Sequence, residues 1–225
     1  MPARPYNPLD HVNLARSVEL TLLQQEAQSL PLAETFAGAG LYALYYQGNF
    51  EPYAPISAPN GSGPPIYVGR ARPTGARTGV QALDAPAGRV LFHRLREHWK
   101  SIEVAKNLDI VDFRCRYLVC EELFISMGEA LLITQFRPLW NRHVAGFGLH
   151  DPGRGRHGSE RSEWDELHPG RPWYPKMKRA QTPQAIRENI AQVFESGEAA
   201  TVNQLPVTAP PTAPAELPEA PASAE

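Results

Sequence analysis

Two short β-prone runs, separated by turn-forming residues, constrain this chain more than any other feature. The first run is GLYALYY at positions 40–46, and the second is PIYVGR at positions 65–70. The residues between them are rich in Pro, Gly, Ser and Asn, which favour turns. The pattern predicts a hairpin with strands near 40–46 and 65–69 and a long insertion at its tip. Such a hairpin can direct Tyr42 and Tyr67 toward one point.

Four further segments carry the signals of a helix. Apolar residues recur every three or four positions over 13–28 and again over 89–107, which predicts an amphipathic helix in each range. The segment 121–136 is apolar around almost its whole circumference, which is typical of a buried helix. A final helix is marked by Thr182 as its N-cap and by Pro183 in the first helical position.

Residues 110–119 alternate between two faces, which predicts a third strand. Together these segments predict an α/β (α+β) fold, in which a small, mainly antiparallel, three-stranded sheet is flanked by helices. Extensions precede and follow this unit. Cys115 and Cys120 lie five positions apart at the end of the third strand and point to opposite faces, so we expect no disulfide between them.

Composition and charge are ordinary for a globular protein and leave nucleic-acid binding open. The formal net charge of -2 gives no overall indication of DNA binding, yet the last twenty residues hold three Glu and no Lys or Arg. The rest of the chain is therefore nearly neutral and can still carry a basic groove. The longest apolar stretch is too short to span a bilayer, and no signal peptide is evident. We expect a cytoplasmic protein with no membrane association.

The residues that could take part in catalysis suit the hydrolysis of a phosphodiester. Arg94 and His98 are four positions apart on one helix face, beside the apolar stripe, where they can line a cleft. Glu129 lies in an apolar helix, where a carboxylate must be paired, hydrogen-bonded, metal-bound or protonated. Arg94 can clamp a phosphate, Glu129 can hold one Mg²⁺ ion, and Tyr42, Tyr67 or His98 can transfer the proton.

Six sequence blocks, in the same order and spacing, resemble the Eco29kI-like type II restriction endonucleases, a subgroup of the GIY-YIG nucleases. Leu41 and Val68 take the places of the two isoleucines in the signature. The resemblance covers roughly residues 10–180. The blocks are GLYALYY at 40–46, PIYVGRA at 65–71, RLREH at 94–98, GEALLI at 128–133, PLWN at 138–141, and GFG at 146–148 followed by HDPG at 150–153.

The resemblance implies a Mg²⁺-dependent homodimer that cleaves double-stranded DNA at a G·C-rich palindrome, CCGCGG in the known relatives. It implies a role for Glu129 as the metal ligand. Arg70 stands where the superfamily often has Lys, and an arginine cannot exchange a proton as a lysine can. The catalytic residues that the resemblance implies are Tyr42, Tyr67, Arg94, His98, Glu129 and Asn141.

The resemblance, the signals of the last helix and the composition of the tail together divide the chain into three parts. Residues 1–180 form a GIY-YIG endonuclease domain with DNA-binding insertions, residues 181–198 form a C-terminal helix, and residues 199–225 form a tail. The tail is rich in Pro, Ala and Glu, a composition that cannot bury a core, so we expect it to be disordered. Arginines suit phosphates and guanine edges. The candidate DNA-binding residues are Arg70, Arg72, Arg77, Arg114, Arg116, Arg154 and Arg156.

Other interpretations remain open at the level of sequence. A GIY-YIG repair or homing nuclease with looser specificity would carry the same catalytic residues, and an inactive DNA-binding module would carry the same arginines. A zinc site is possible among four histidines, but they lack the usual Cys/His spacing. An HNH-type nuclease site would leave the tyrosines unexplained. The histidines in question are His143, His150, His157 and His168.

Overall fold

A computed structural model describes residues 10–73 and 88–202, and the fold is given for these ranges. The N-terminal extension over residues 1–9, Arg77, and the part of the predicted tail from residue 203 onward lie outside the described residues. The strands are β1 (Gln28–Ser29), β2 (Gly40–Tyr46), β3 (Tyr67–Ala71) and β4 (Phe113–Val119). The α-helices are α1 (His11–Gln24), α2 (Val90–Glu103), α3 (Glu122–Phe136), α4 (Leu139–Arg142), α5 (Glu163–Leu167) and α6 (Pro183–Glu195).

The four strands form one antiparallel sheet in the order β1-β4-β2-β3. The predicted hairpin is confirmed, because β2 pairs with β3 and places Tyr42 opposite Gly69 and Leu44 opposite Tyr67. The predicted third strand is also confirmed as β4, which begins three residues later, after a short 3₁₀ turn over Ile110–Asp112. The α+β class therefore holds.

Burial on both faces explains why β2 is a continuous apolar run. Successive strand residues point to opposite faces, and each face of β2 is covered by helices. Leu41, Ala43 and Tyr45 pack in a cluster with side chains of α1 and α3. Tyr42, Leu44 and Tyr46 pack in the larger cluster with side chains of α2, α4, α5 and α6. Tyr42, the catalytic candidate on this strand, thus faces the larger core.

The predicted number of strands was wrong by one. The two-residue strand β1 pairs with β4 through Gln28 and Cys115 and forms the sheet edge. The helix predicted over 13–28 ends at Gln24, so Gln28 is part of the strand β1 and not of the helix. A strand of two residues has no measurable alternation, so periodicity cannot detect it.

The prediction that the third helix is buried all round was also wrong. Leu123 and Phe124 in α3 are 75% and 43% exposed. One stripe of the helix is buried, and an apolar circumference does not reveal which side lies against the sheet. The buried positions of α3 are Ile125, Gly128, Leu132 and Phe136.

The C-terminal helix follows its predicted start signals. The Thr182 side chain accepts a hydrogen bond from the Ala185 amide, and Pro183 is the first helical residue. Ala199 and Ala200 are buried, so the described chain stays packed beyond residue 198. Cys115 and Cys120 are free thiols. Within the described ranges, no helix has the length and apolarity needed to cross a membrane.

Candidate active site

The centre of the site is a buried contact between a tyrosine and a histidine. The Tyr42 hydroxyl lies 2.5 Å from Nε2 of His98, which joins the middle of β2 to α2. Tyr42 is fully buried and His98 is 2% exposed. Gly69, opposite Tyr42 in the hairpin, has no side chain, and a Cβ atom there would collide with the Tyr42 hydroxyl. The glycine of the second strand therefore makes room for the tyrosine of the first.

Tyr67 brings a second phenol to the same place from the neighbouring strand. The centroids of the Tyr42 and Tyr67 rings are 6.2 Å apart, and those of Tyr67 and His98 are 5.2 Å apart. Phe147 stacks on His98 at 4.6 Å with an interplanar angle of 20°. Unlike Tyr42, Tyr67 is only partly buried, so it is the tyrosine that lies nearer to solvent.

Arg94 sits one helical turn before His98 and is fixed by three contacts. Its Nη2 donates to the Gly148 carbonyl at 2.9 Å, and its Nη1 donates to Glu97 at 2.8 Å. Nη1 also lies 2.9 Å from Nε2 of His150. The side chain is 22% exposed. This guanidinium is therefore oriented in advance and remains reachable for an anion.

Burial keeps the proton-transfer groups uncharged. It raises the pKa of Tyr42 well above the ordinary value, and Tyr67 raises it further, against the opposing effect of Arg94. Burial also raises the pKa of Tyr67. Burial, followed by the positive charge of Arg94, lowers the pKa of His98 well below its ordinary value. At neutral pH the tyrosines are phenols and His98 is a neutral imidazole, which can accept a proton.

Glu129 is the carboxylate next to this group, and a glycine explains its position. A Cβ atom at Gly128 would lie 2.5 Å from Cδ1 of Leu41, so the glycine lets α3 lie close to β2. Glu129 Oε2 pairs with Nη1 of Arg70 at 2.9 Å. Burial raises the pKa of Glu129, while Arg70 and Arg94 act to lower it. In the described residues, no cluster of three or more His, Cys, Asp or Glu side chains could hold a metal.

Asn141 contacts the backbone of β3 rather than the side chains of the site. Its Oδ1 accepts from the Val68 amide and its Nδ2 donates to the Val68 carbonyl, both at 2.8 Å. The side chain thus satisfies both backbone groups of Val68 on the outer edge of β3. Because Val68 lies between Tyr67 and Gly69, this amide holds the strand segment that shapes the site.

The candidate DNA-binding arginines differ in how their side chains are used. Arg70 and Arg72 form ion pairs, with Glu129 and with Glu122 respectively, and each keeps about two-fifths of its side chain exposed. Arg156 is exposed. Arg77 and the side chain of Arg154 lie outside what the structure describes.

Arg114 and Arg116 bind their own chain. Arg114 donates to Gln47 Oε1 at 3.2 Å and to Ser29 Oγ at 3.0 Å. Arg116 donates to the Gln25 carbonyl at 2.9 Å and to the Gly61 carbonyl at 2.8 Å. These contacts tie the segment before β2 and the hairpin insertion to β4.

A cavity of about 310 Å³ lies beside Arg94, between α2 and the segments 147–151 and 171–173. Phe147 and Gly148, on its wall, contact the site directly but were assigned no role from the sequence. Two glycines around one aromatic residue were visible as a pattern, but nothing in the sequence indicates that the ring stacks on His98. That contact depends on a long-range approach of two segments.

Residues 34–194 match the family described as the Eco29kI GIY-YIG domain. This range is well over half of the chain, and it contains β2, β3, β4, α2 and α3, which together carry the site. A comparison with curated protein sequences returned no match.

Proposed function

Because the chain belongs to the Eco29kI GIY-YIG family of restriction endonuclease-type nucleases, we propose that it is a type II, site-specific deoxyribonuclease. It hydrolyses both strands of double-stranded DNA at a G·C-rich palindrome, and CCGCGG is the sequence to test first. The observation that carries the proposal is the convergence of Tyr42, Tyr67, Arg94 and His98 beside one half-buried carboxylate, Glu129.

Proton transfer is proposed for the two tyrosines and His98 as a unit. Tyr67 lies nearer to solvent than Tyr42, where an attacking water molecule would arrive, and its ring centre lies 6.2 Å from that of Tyr42. Tyr42 in turn contacts His98 at 2.5 Å. The proton that leaves the water is passed through the hydroxyl groups of Tyr67 and Tyr42 to neutral His98. The water oxygen attacks phosphorus as the P–O bond to the leaving group breaks.

Arg94 supplies the positive charge for the phosphate. Its guanidinium is already oriented by Gly148 and Glu97, so it loses little freedom when an anion binds. The charge that accumulates on the phosphate oxygens in the transition state is stabilised most by donors that need no reorientation.

Glu129 fits a magnesium ion as its single protein carboxylate. Mg²⁺ prefers oxygen ligands and keeps several waters, so one carboxylate near a phosphate is sufficient. The place of Glu129 supports this role, because its side chain is 21% exposed and, in addition to burial, its charge raises the pKa of both Tyr42 and Tyr67. When bound, the ion would neutralise charge on the leaving oxygen.

A two-fold symmetric dimer is proposed as the active form. A palindrome presents the same half-site to two identical subunits, and each site described here holds one set of groups for one strand. A dimer predicts that single-site plasmid becomes linear in one binding event. A mass in solution equal to one chain, both free and on the DNA, would contradict this part of the proposal.

The direct test is to incubate the purified protein with Mg²⁺ and a plasmid that carries one CCGCGG site. We expect a single linear product, and we expect a discrete fragment pattern from genomic DNA. A smear, or nicks at lesions, would instead indicate a repair or homing type of nuclease. Folded protein that leaves both DNAs intact would contradict the proposed activity.

The Glu129→Ala variant separates an enzyme from an inactive DNA-binding module. We expect cleavage to fall by about 10²-fold or more, because a charge-stabilising group is lost, while binding to a CCGCGG duplex without Mg²⁺ is retained. Gel-shift and cleavage assays on the same preparation measure both. If the variant cleaves like the wild type, Glu129 does not have the proposed metal role.

A further inference from the structure

The loop Gly146–Gly148, hereafter the 146–148 loop, forms one wall of the site. The Phe147 ring stacks on His98 and meets Tyr67 edge-on at 4.9 Å. The Gly148 carbonyl accepts from Arg94 at 2.9 Å. A Cβ atom at Gly148 would lie 2.7 Å from the Tyr67 hydroxyl. The position of this loop therefore decides where three of the catalytic candidates stand.

A buried arginine, Arg171, binds two carbonyls of the 146–148 loop. Arg171 Nη1 donates to the Gly146 carbonyl at 3.0 Å, and its Nη2 donates to the Phe147 carbonyl at 2.5 Å. The next carbonyl along the chain, that of Gly148, is the one that binds Arg94. Three consecutive carbonyls thus accept hydrogen bonds from two guanidinium groups, those of Arg171 and Arg94.

Arg171 is itself fixed by an acid and by aromatic rings. Asp165 Oδ1 lies 3.3 Å from Nη1, and its Oδ2 accepts from Trp173 at 3.1 Å. The guanidinium carbon lies 4.2 Å from the centre of the Trp164 ring. Arg171 is 2% exposed, so it cannot reach DNA.

We propose that Arg171 is a positioning residue of the nuclease, which fixes the 146–148 loop so that Arg94 and His98 keep their reactive geometry. The inference rests on the proposed nuclease function, and it assigns Arg171 no contact with the substrate. The network reaches the site through Gly148 to Arg94 and through Phe147 to His98.

A purely structural role explains the arrangement less well. Buried ion pairs add little net stability, since desolvation offsets the attraction between the charges. The planar fork of arginine, however, binds two carbonyls and stacks on a ring at the same time, which the point charge of lysine cannot do. Replacement by lysine should therefore preserve the charge but release the loop.

The test compares Arg171→Lys with Arg161→Lys. Arg161 is a matched control, because its side chain is only 9% exposed and it also pairs with a carboxylate, Glu166. Its carbonyl partners, however, are Tyr174 and Met177 rather than the 146–148 loop. We expect kcat for plasmid cleavage to fall about 100-fold in Arg171→Lys, with little change in KM for DNA. Arg161→Lys should keep the wild-type kcat. Equal kcat values in both variants would overturn the proposal.

Hydrogen exchange gives a readout that does not depend on cleavage. Amides of the 146–148 loop should exchange faster in Arg171→Lys than in Arg161→Lys, and equal rates would overturn the positioning role. If wild-type protein cleaves no DNA, the proposed function fails, yet the exchange comparison still decides whether Arg171 fixes the loop. If Arg171→Lys does not fold, Asp165→Asn replaces it, with the same expected loss of kcat and the same faster exchange.

Discussion

Tyr42 and His98 form a pair in which neither partner carries charge. Burial acts on both, raising the pKa of the phenol and lowering the pKa of the imidazole. The two effects keep the proton on the tyrosine and leave His98 free to accept it. A phenolate would form here only while positive charge is nearby. The pair is therefore suited to transfer a proton during the reaction. It does not hold a deprotonated tyrosine ready as a base before the reaction begins.

Arg70 should set the acid limb of the pH–rate profile, because its charge lowers the pKa of Glu129 while burial raises it. Removing the charge in Arg70→Ala raises that pKa further, so the ionised carboxylate is lost at a higher pH. We expect the acid limb of kcat to move to higher pH, and Arg70→Lys, which keeps the charge, to stay near the wild type.

Arg72→Ala is the control for this experiment, since it removes a similar ion pair, with Glu122, that does not involve Glu129. The acid limb of kcat for Arg72→Ala should keep the wild-type position, even if the affinity of this variant for DNA changes. The profiles are measured at saturating Mg²⁺. An unchanged limb in Arg70→Ala would show that Glu129 does not control the reaction through its ionisation.

For individual residues, the sequence identified the candidate catalytic side chains but not the groups that they contact. Arg94 and His98 could be placed on one helix face because they are four positions apart. The contact of Arg94 with the Gly148 carbonyl joins segments 54 residues apart, and no local pattern encodes it. The pairing of Arg70 with Glu129 was missed for the same reason.

Asn141 links two elements, α4 and β3, and its loss should loosen the strand that carries Tyr67. In Asn141→Asp the carboxylate still accepts from the Val68 amide but repels the Val68 carbonyl. We expect the free energy of unfolding to fall by about 1–3 kcal/mol, together with a loss of cleavage. Denaturant unfolding and plasmid cleavage measure the two effects.

Asn189→Asp serves as the matched substitution, because Asn189 is exposed on α6, and it should leave both quantities nearly unchanged. If Asn141 instead acts on the substrate, Asn141→Asp would lose activity and keep its stability.

At the level of helices and strands, strong local signals made most elements predictable, such as the turn formers around the hairpin and the Thr182 cap of α6. The strand β1 and the exposed side of α3 were not predictable, since both depend on what packs beside them.

At the scale of the whole molecule, a second tyrosine–histidine contact, between Tyr53 and His168, is fully buried. The Tyr53 hydroxyl lies 2.5 Å from Nε2 of His168, and Nδ1 of His168 lies 2.9 Å from Oδ1 of Asn107. Trp140 Nε1 donates to the Tyr53 hydroxyl at 2.9 Å. This network ties the hairpin insertion to the region after α2 and to α5. None of these contacts follows from the sequence, because they join residues far apart in the chain.

The buried histidines should make the protein sensitive to acid. Burial lowers the pKa of His168 to about 3, and it lowers that of His98 well below the ordinary value. Unfolding returns each imidazole to a pKa of about 6.5, so between pH 6.5 and 3 the unfolded chain binds protons that the folded chain does not. Stability is therefore independent of these groups above about pH 7 and falls as the pH drops, with about 1.4 kcal/mol per pH unit for each histidine.

His168→Gln removes one of these protons and isolates its contribution. Its free energy of unfolding at pH 8 should be lower by about 1–3 kcal/mol, since the buried network is altered. Its decline between pH 6.5 and 4.5 should be shallower than that of the wild type by up to about 1.4 kcal/mol per pH unit. His93→Gln, at an exposed position of α2, should keep the wild-type slope. Denaturant unfolding at a series of pH values measures all three proteins, and equal slopes for His168→Gln and wild type would mean that His168 becomes protonated within the folded protein.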